Sequence, residues 1–202
     1  MTDAESGSRR EQLLDAAVRA FVNAGYSATR VSDIVNEAGV AQGTFYLYFS
    51  SKRDIFRQLV ERFLTMFADR LLTASFDEPE DLDAFRESAR TRVLLALQTC
   101  YENRELARIY YQEAMGADPD LNARVTEFNR AFAQSLGARL RYGIERGYLR
   151  PHNTSVVSIA MGGLLEQLVR HMVFYSDQEL EIESLADEIV ELELNGIGNR
   201  AS

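Results

Sequence analysis

Apolar residues recur every three or four positions along most of the chain, and no strict alternation runs long enough to argue for a strand. The pattern predicts an all-α fold. Leu13, Ala17, Ala20, Phe21 and Ala24 form one stripe over residues 9–24, which Gly25 ends. A linker, Tyr26 to Thr29, follows, with Thr29 placed to cap the next helix. Val31, Ile34, Val35 and Ala38 then mark a short helix that stops at Gly39, and a second, carrying Phe45, Tyr46 and Phe49, begins three residues later. Two short helices joined by a glycine-containing turn predict a helix-turn-helix. Gly39 supplies the positive φ that ends the first helix, and Val40 tucks back between the two. The second helix presents Gln42, Thr44, Tyr46 and Tyr48, all able to hydrogen-bond outward. That is the chemistry of a helix reading DNA.

The remaining pattern predicts a longer, helical body. Ser50 or Ser51 caps a helix from Lys52 to Ala74, with Ile55, Phe56, Leu59, Phe63, Met66 and Phe67 on its apolar face. The acidic stretch Phe76 to Asp81 lacks the central glycine and ligand spacing of a calcium loop and reads as a solvated linker. Helices follow over Leu82–Tyr101 and Glu105–Met115, then from Asp118-Pro119 to Glu145, from Pro151–Ser155 to Tyr175, and over Glu183–Leu194. Nine helices are expected: a helix-turn-helix head over residues 1–52 and a body over residues 53–202.

Charge complicates the DNA reading. The chain carries a net −9. Residues 1–55 hold six basic and seven acidic side chains, a net −1, so most of the acid belongs to the body. A near-neutral head relies on base edges and backbone amides more than on a broad basic field. All but one of the 22 basic residues are arginines, and the exception is Lys52, just after the second helix of the turn motif.

Other chemistry is absent from the pattern. Cys100 is the only cysteine, so no intrachain disulfide forms. The most apolar segment, Val156 to Tyr175, contains Glu166, Arg170 and His171, and the N-terminus has no apolar stretch after its arginines. Neither a membrane span nor a secretory signal is expected, which points to the cytoplasm. His152 and His171 have no partner at zinc spacing, and Gly196-Ile197-Gly198 lacks the third glycine of a dinucleotide fingerprint. No enzyme activity, metal or cofactor is expected.

Residues 9–60 resemble the tetracycline-repressor (TetR) family of transcriptional regulators. The resemblance rests on Ala24-Gly25-Tyr26, Thr29, Val31-Ser32-Asp33-Ile34, Ala38-Gly39-Val40, Gly43-Thr44-Phe45-Tyr46-Leu47-Tyr48-Phe49 and Ser51-Lys52. It implies that Gln42 and Gly43 meet base edges, that Thr44 and Tyr46 bond phosphates, that Tyr48 packs on or bonds the DNA backbone, and that Lys52 grips a phosphate. Thr29, Arg30 and Ser32 complete the implied DNA-contacting set. Two positions depart from the family pattern. Ala41 stands where a capping serine is usual, and Arg30 where a second threonine is usual, with Arg30 offering a phosphate or minor-groove contact instead.

The resemblance further implies a homodimer on a near-palindromic operator, released or rearranged when a small molecule enters the body. Gly162, Gly163, Leu164, Leu168 and Met172, with Ile159, would form half of a four-helix interface together with Leu185, Ile189, Leu192 and Leu194. Phe63, Met66, Phe67, Phe85, Leu97, Tyr101, Tyr110, Tyr111, Met115, Phe128 and Phe132 are the candidate ligand wall, aromatic and methionine-rich enough for a hydrophobic effector. Residues Glu105 to Gly147 resemble acyl-CoA-responsive members, in which Arg104, Arg108 and Arg124 would meet phosphates. The alternative function is a helical ligand-binding or adaptor protein that has lost DNA binding, consistent with the neutral head and the missing cap at Ala41.

Overall fold

In the computed structural model, which describes residues 3–72, 78–113, 119–175 and 181–197, the described residues form nine helices and no sheet. These are α1 (Asp3–Ala28), α2 (Val31–Ala38), α3 (Gln42–Tyr48), α4 (Lys52–Leu72), α5 (Leu82–Glu102), α6 (Arg104–Glu113), α7 (Pro119–Glu145), α8 (Thr154–Phe174) and α9 (Ile182–Ile197). The expected ends at Ala74 and Met115, and residues 76–77 of the acidic loop, lie outside the described residues.

Local chemistry explains where boundaries moved. α1 starts at Asp3, six residues before the first expected position, and Gly25 (φ 77°) kinks it before a last turn to Ala28. Thr29 does not cap α2. Its hydroxyl donates back to the carbonyls of Gly25 (2.7 Å) and Ala20 (3.2 Å), closing the kink. α2 begins instead with the Arg30 N–H donating to the Asp33 carboxylate at 2.7 Å. Gly39, at φ 63°, ends α2 in the left-handed region, and the Val40 N–H donates to the Val35 carbonyl. Ala41 begins α3 with no side-chain cap. Ser51 caps α4 by accepting the Asp54 N–H, while the Asp54 carboxylate accepts the Ser50 N–H. Burial alone would raise Asp54, but bonds from the Ser50 N–H, Gln58, the Ser50 hydroxyl and Arg57 outweigh it and hold its carboxyl below the ordinary value.

Packing divides the chain into two compact units, Met1–Thr65 with Asn103–Val125, and Met66–Glu102 with Thr126–Ser202. The division falls inside α4 and α7, and α6 joins the head rather than the body. In the first unit α1 packs on α2 and α6, around buried Leu13, Ile34, Phe45, Phe49, Ile55, Phe56 and Leu59. α6 adds Ala107, Ile109 and Tyr110, with the Phe63 and Tyr110 rings 5.2 Å apart.

In the second unit α5 packs on α8 and α9. Its core holds Phe85, Ala89, Leu140, Leu149, Val190 and Leu194. Gly143 of α7 lies so close to this core that a Cβ there would sit 2.8 Å from both Leu149 Cδ1 and Phe85 Cζ. Gly143→Ala therefore sets a helix-propensity gain of about 1 kcal/mol against overpacking that costs roughly 1–3 kcal/mol. A net loss is expected, read as a lower thermal midpoint; an unchanged or higher midpoint would show that the core yields. Cys100 is also buried here, and desolvation pushes its thiol up to about 12, leaving it unreactive.

Candidate functional site

The head builds an exposed reading surface on a closed core. Leu13 of α1, Ile34 of α2 and Phe45 of α3 are fully buried, and the Phe45 and Phe49 rings lie tilted with centres 5.6 Å apart. Polar ties fix the periphery: Gln12 Nε2 donates to the Ala38 carbonyl at 2.7 Å, and Arg19 pairs with Glu37 at 2.6 Å. With one side of α3 buried through Phe45, the other is open. Gln42 and Tyr46 lie four residues apart on it, as do Gly43 and Leu47, so the four side-chain positions form one exposed face. Tyr46 is 54% exposed and Leu47 72%. No atom comes within 4 Å of a Cβ built on Gly43, so the backbone there is open to close approach.

This face has the chemistry to read a groove. A glutamine pairs bidentately with adenine, a tyrosine hydroxyl bonds a phosphate, and an exposed apolar side chain meets a thymine methyl. Leu47 was not among the expected contacts. Its neighbours Tyr46 and Tyr48 carry obvious polar tips, and an apolar residue between them gives no local sign that it faces solvent. Thr44 is half-buried, while Arg30 and Ser32 are exposed beside the start of α2.

Three expected contacts are differently employed. Thr29 is only 2% exposed and its hydroxyl is spent on the α1 kink, so it supports the interface without presenting its side chain. Tyr48 has its hydroxyl shielded from solvent with no hydrogen-bond partner, so a phosphate contact would require the ring to move. Lys52 Nζ donates to the carbonyls of Tyr26 (2.6 Å), Thr29 (2.7 Å) and Ser27 (3.3 Å) and lies 4.4 Å from the centre of the Tyr26 ring. Its three donors bind the segment that feeds α2, and the charge offsets the carbonyl end of α1. Lys52 is a staple of the head in this arrangement rather than a phosphate grip.

The second unit contains a cavity of about 260 Å³ among α4, α5, α7, α8 and α9. Leu71, Ala89, Val93, Ala96, Leu136, Val157, Met161, Leu165 and Ile189 make most of its wall apolar. Of the expected ligand wall, Phe132 lines it. The others are employed elsewhere: Phe63 and Tyr110 pack on each other in the head, and Tyr111 lies against Tyr110. Phe67 packs edge-on against Phe128 and Phe132, Phe85 and Leu97 are buried in core, and Met66 and Tyr101 do not line this space. Met115 lies outside the described residues. Aromatic core and aromatic ligand wall share one sequence pattern, and only packing separates them.

The cavity also carries charge, in residues that the pattern did not single out. Arg92, Arg139 and Glu193 line it. Arg139 is 6% exposed, donates from Nη1 to Glu193 Oε1 at 3.1 Å, and lies with its guanidinium carbon 4.5 Å from the Phe85 ring centre. Its Nε and Nη2 are buried without an acceptor. Burial, with the neighbouring Arg139 charge, pushes Arg92 down to about 10. Among the described residues no group of histidine, cysteine and carboxylate side chains is arranged to hold a metal.

α8 has a third feature. It is long and apolar enough to cross a bilayer by length and composition, yet only 22% of its apolar window is buried. Val156, Ile159 and Leu164 of α8 and Leu192 of α9 are large exposed apolar side chains. Of the expected dimer residues, Gly163, Leu164 and Leu192 are exposed and Gly162, Leu168 and Leu185 half-buried. Met172 and Ile189 are buried within this chain and leave no open face to a partner. Val156, at the start of α8, is 61% exposed.

Comparisons with known proteins bear on all three features. Residues 13–59 match the family model for bacterial regulatory proteins of the tetR family. The fatty acid metabolism regulator protein of Bacillus subtilis (strain 168) is 26% identical over 204 residues, covering 94% of this chain and 95% of that protein. The HTH-type transcriptional regulator YdgC of the same organism is 30% identical over 193 residues, covering 93% of this chain and 92% of the other. Among solved structures, the transcriptional regulator FadR of Bacillus subtilis in complex with stearoyl-CoA superposes with a TM-score of 0.71 at 25% identity, covering 93% of this chain and 98% of that one.

Proposed function

Because the chain belongs to the tetR family and is a DNA-binding transcriptional regulator rather than an enzyme, we propose that it is a repressor. It binds a near-palindromic operator as a homodimer, in the cytoplasm, and leaves when a fatty-acyl type of small molecule enters the cavity of the second unit. The observation that carries the DNA reading is the open face of Gln42, Gly43, Tyr46 and Leu47 on an otherwise closed three-helix core. The effector class follows the fatty acid metabolism regulator and the stearoyl-CoA complex among the relatives, and is supported by the apolar wall.

The dimer is supported by α8. An apolar helix surface is stable when covered, and this chain buries only 22% of the apolar window of α8. A second copy laid against Val156, Ile159, Gly163, Leu164 and Leu192 buries the remainder, and a pair of reading helices on successive turns of duplex needs a separation of about 34–36 Å. α4 offers the route of coupling, since one helix carries Lys52 at its start and Leu71 in the cavity wall. The effector acts only through its differential affinity for the two arrangements of that helix.

Selection from a randomised duplex pool tests the reading. A palindrome should emerge, and Gln42→Ala and Tyr46→Ala should each weaken it by about 1–3 kcal/mol, or roughly 5–150-fold. Ile159→Glu should yield monomers in sedimentation and lose the operator with them. A chain that selects no duplex would instead be the ligand-binding or adaptor protein.

A further inference from the structure

The cavity of the second unit holds two cations and one carboxylate in a wall that is otherwise largely apolar. Glu193 answers one arm of Arg139, but Nε and Nη2 of the same buried guanidinium have no acceptor, and Arg92 adds a second positive charge to the wall. Buried donors without acceptors are costly, and an anion that accepts from the two orphaned donors of Arg139 forms charge-assisted bonds stronger in apolar surroundings than in water. We propose that the natural effector carries a free carboxylate, held at Arg92 and Arg139, on a slender apolar chain lying along Ala89, Ala96, Val157 and Met161. The reading rests on this cavity being the effector site.

Size agrees with that choice. The cavity, at about 260 Å³, lies just below the usual range of ligand sites, about 300 to 1,000 Å³. It suits an unbranched acid but does not enclose the nucleotide half of an acyl-CoA.

Isothermal titration of the full-length protein with decanoate, 1-decanol and decanoyl-CoA at one ionic strength decides it. Decanoate should bind about ten-fold or more tighter than 1-decanol. Arg92→Leu should bring the two affinities together, and Ala160→Phe, which fills the cavity from α8, should abolish both. Arg92 is the side chain to change because Arg139 is too deeply paired for its loss to be read apart from folding. Equal affinity for acid and alcohol overturns the carboxylate proposal and leaves the cavity as an effector site. Tight binding of decanoyl-CoA with none of decanoate places the anion on the nucleotide and overturns it too. Binding of none of the three, or binding that survives Ala160→Phe, overturns the effector-site reading along with it.

Discussion

Glu193→Leu is expected to cost about 3–5 kcal/mol of stability in urea unfolding, the usual cost of breaking a buried ion pair from one side. Arg139 and Glu193 are both nearly excluded from solvent, with side-chain exposures of 5% and 2%, and their charges meet at 3.1 Å. Without the carboxylate, the guanidinium keeps its charge beside the Phe85 ring and the largely apolar cavity wall. Removing both charges behaves differently. Arg139→Met with Glu193→Leu leaves two apolar side chains of similar bulk, and such exchanges are often neutral or stabilising. The double variant should therefore recover most of the loss, giving a large coupling energy in a double-mutant cycle. Equal losses in the single and double variants would mean that the site is held by packing rather than by the pair.

Lys52→Met is the second large effect expected, and it separates two roles for the one lysine of the chain. The ammonium makes three charge-assisted bonds to the carbonyls of Tyr26, Ser27 and Thr29 and lies over the Tyr26 ring. Hydrogen bonds to charged groups contribute about 1.5–3 kcal/mol. Methionine keeps the apolar stem but none of the donors, so the head should lose roughly 2–3 kcal/mol. Measured where the variant is folded, the dependence of operator affinity on salt should be unchanged, because no phosphate contact is removed. A lysine on a phosphate would instead reduce the slope of log affinity against log salt by about 0.9. A reduced slope with stability intact would return Lys52 to the DNA interface.

The reading helix was legible because its instructions are local. Gly39 sits at the positive φ expected of it, Phe45 and Phe49 are buried as their spacing implies, and Gln42 and Tyr46 are exposed. Thr29, Tyr48 and Lys52 were less legible. Each has polar atoms, and sequence cannot tell whether such atoms meet solvent, as a DNA contact needs, or are enclosed by the chain. The partners of Lys52 are main-chain carbonyls 23 to 26 residues earlier, which carry no side-chain code.

The cavity was less legible still. Aromatic residues at helical spacing look the same whether they fill a core, as Phe63 and Tyr110 do, or line a space, as Phe132 does. Arg139 and Glu193 lie 54 residues apart on surface-like helical patterns and become a buried pair only through packing. The apolar pattern of α8 does not say which side its own chain covers, and Met172 is buried within that chain.

From the amino acids alone came the all-helical class, the turn motif, the near-neutral head and the polar face of its second helix, because backbone geometry and helical period act over a few neighbouring residues. Which polar groups remain available, where space is left inside the second unit and which arginines line it were settled by tertiary packing. Those outcomes depend on how side chains distant along the chain compete for the same volume and the same hydrogen bonds, a competition that no short segment records.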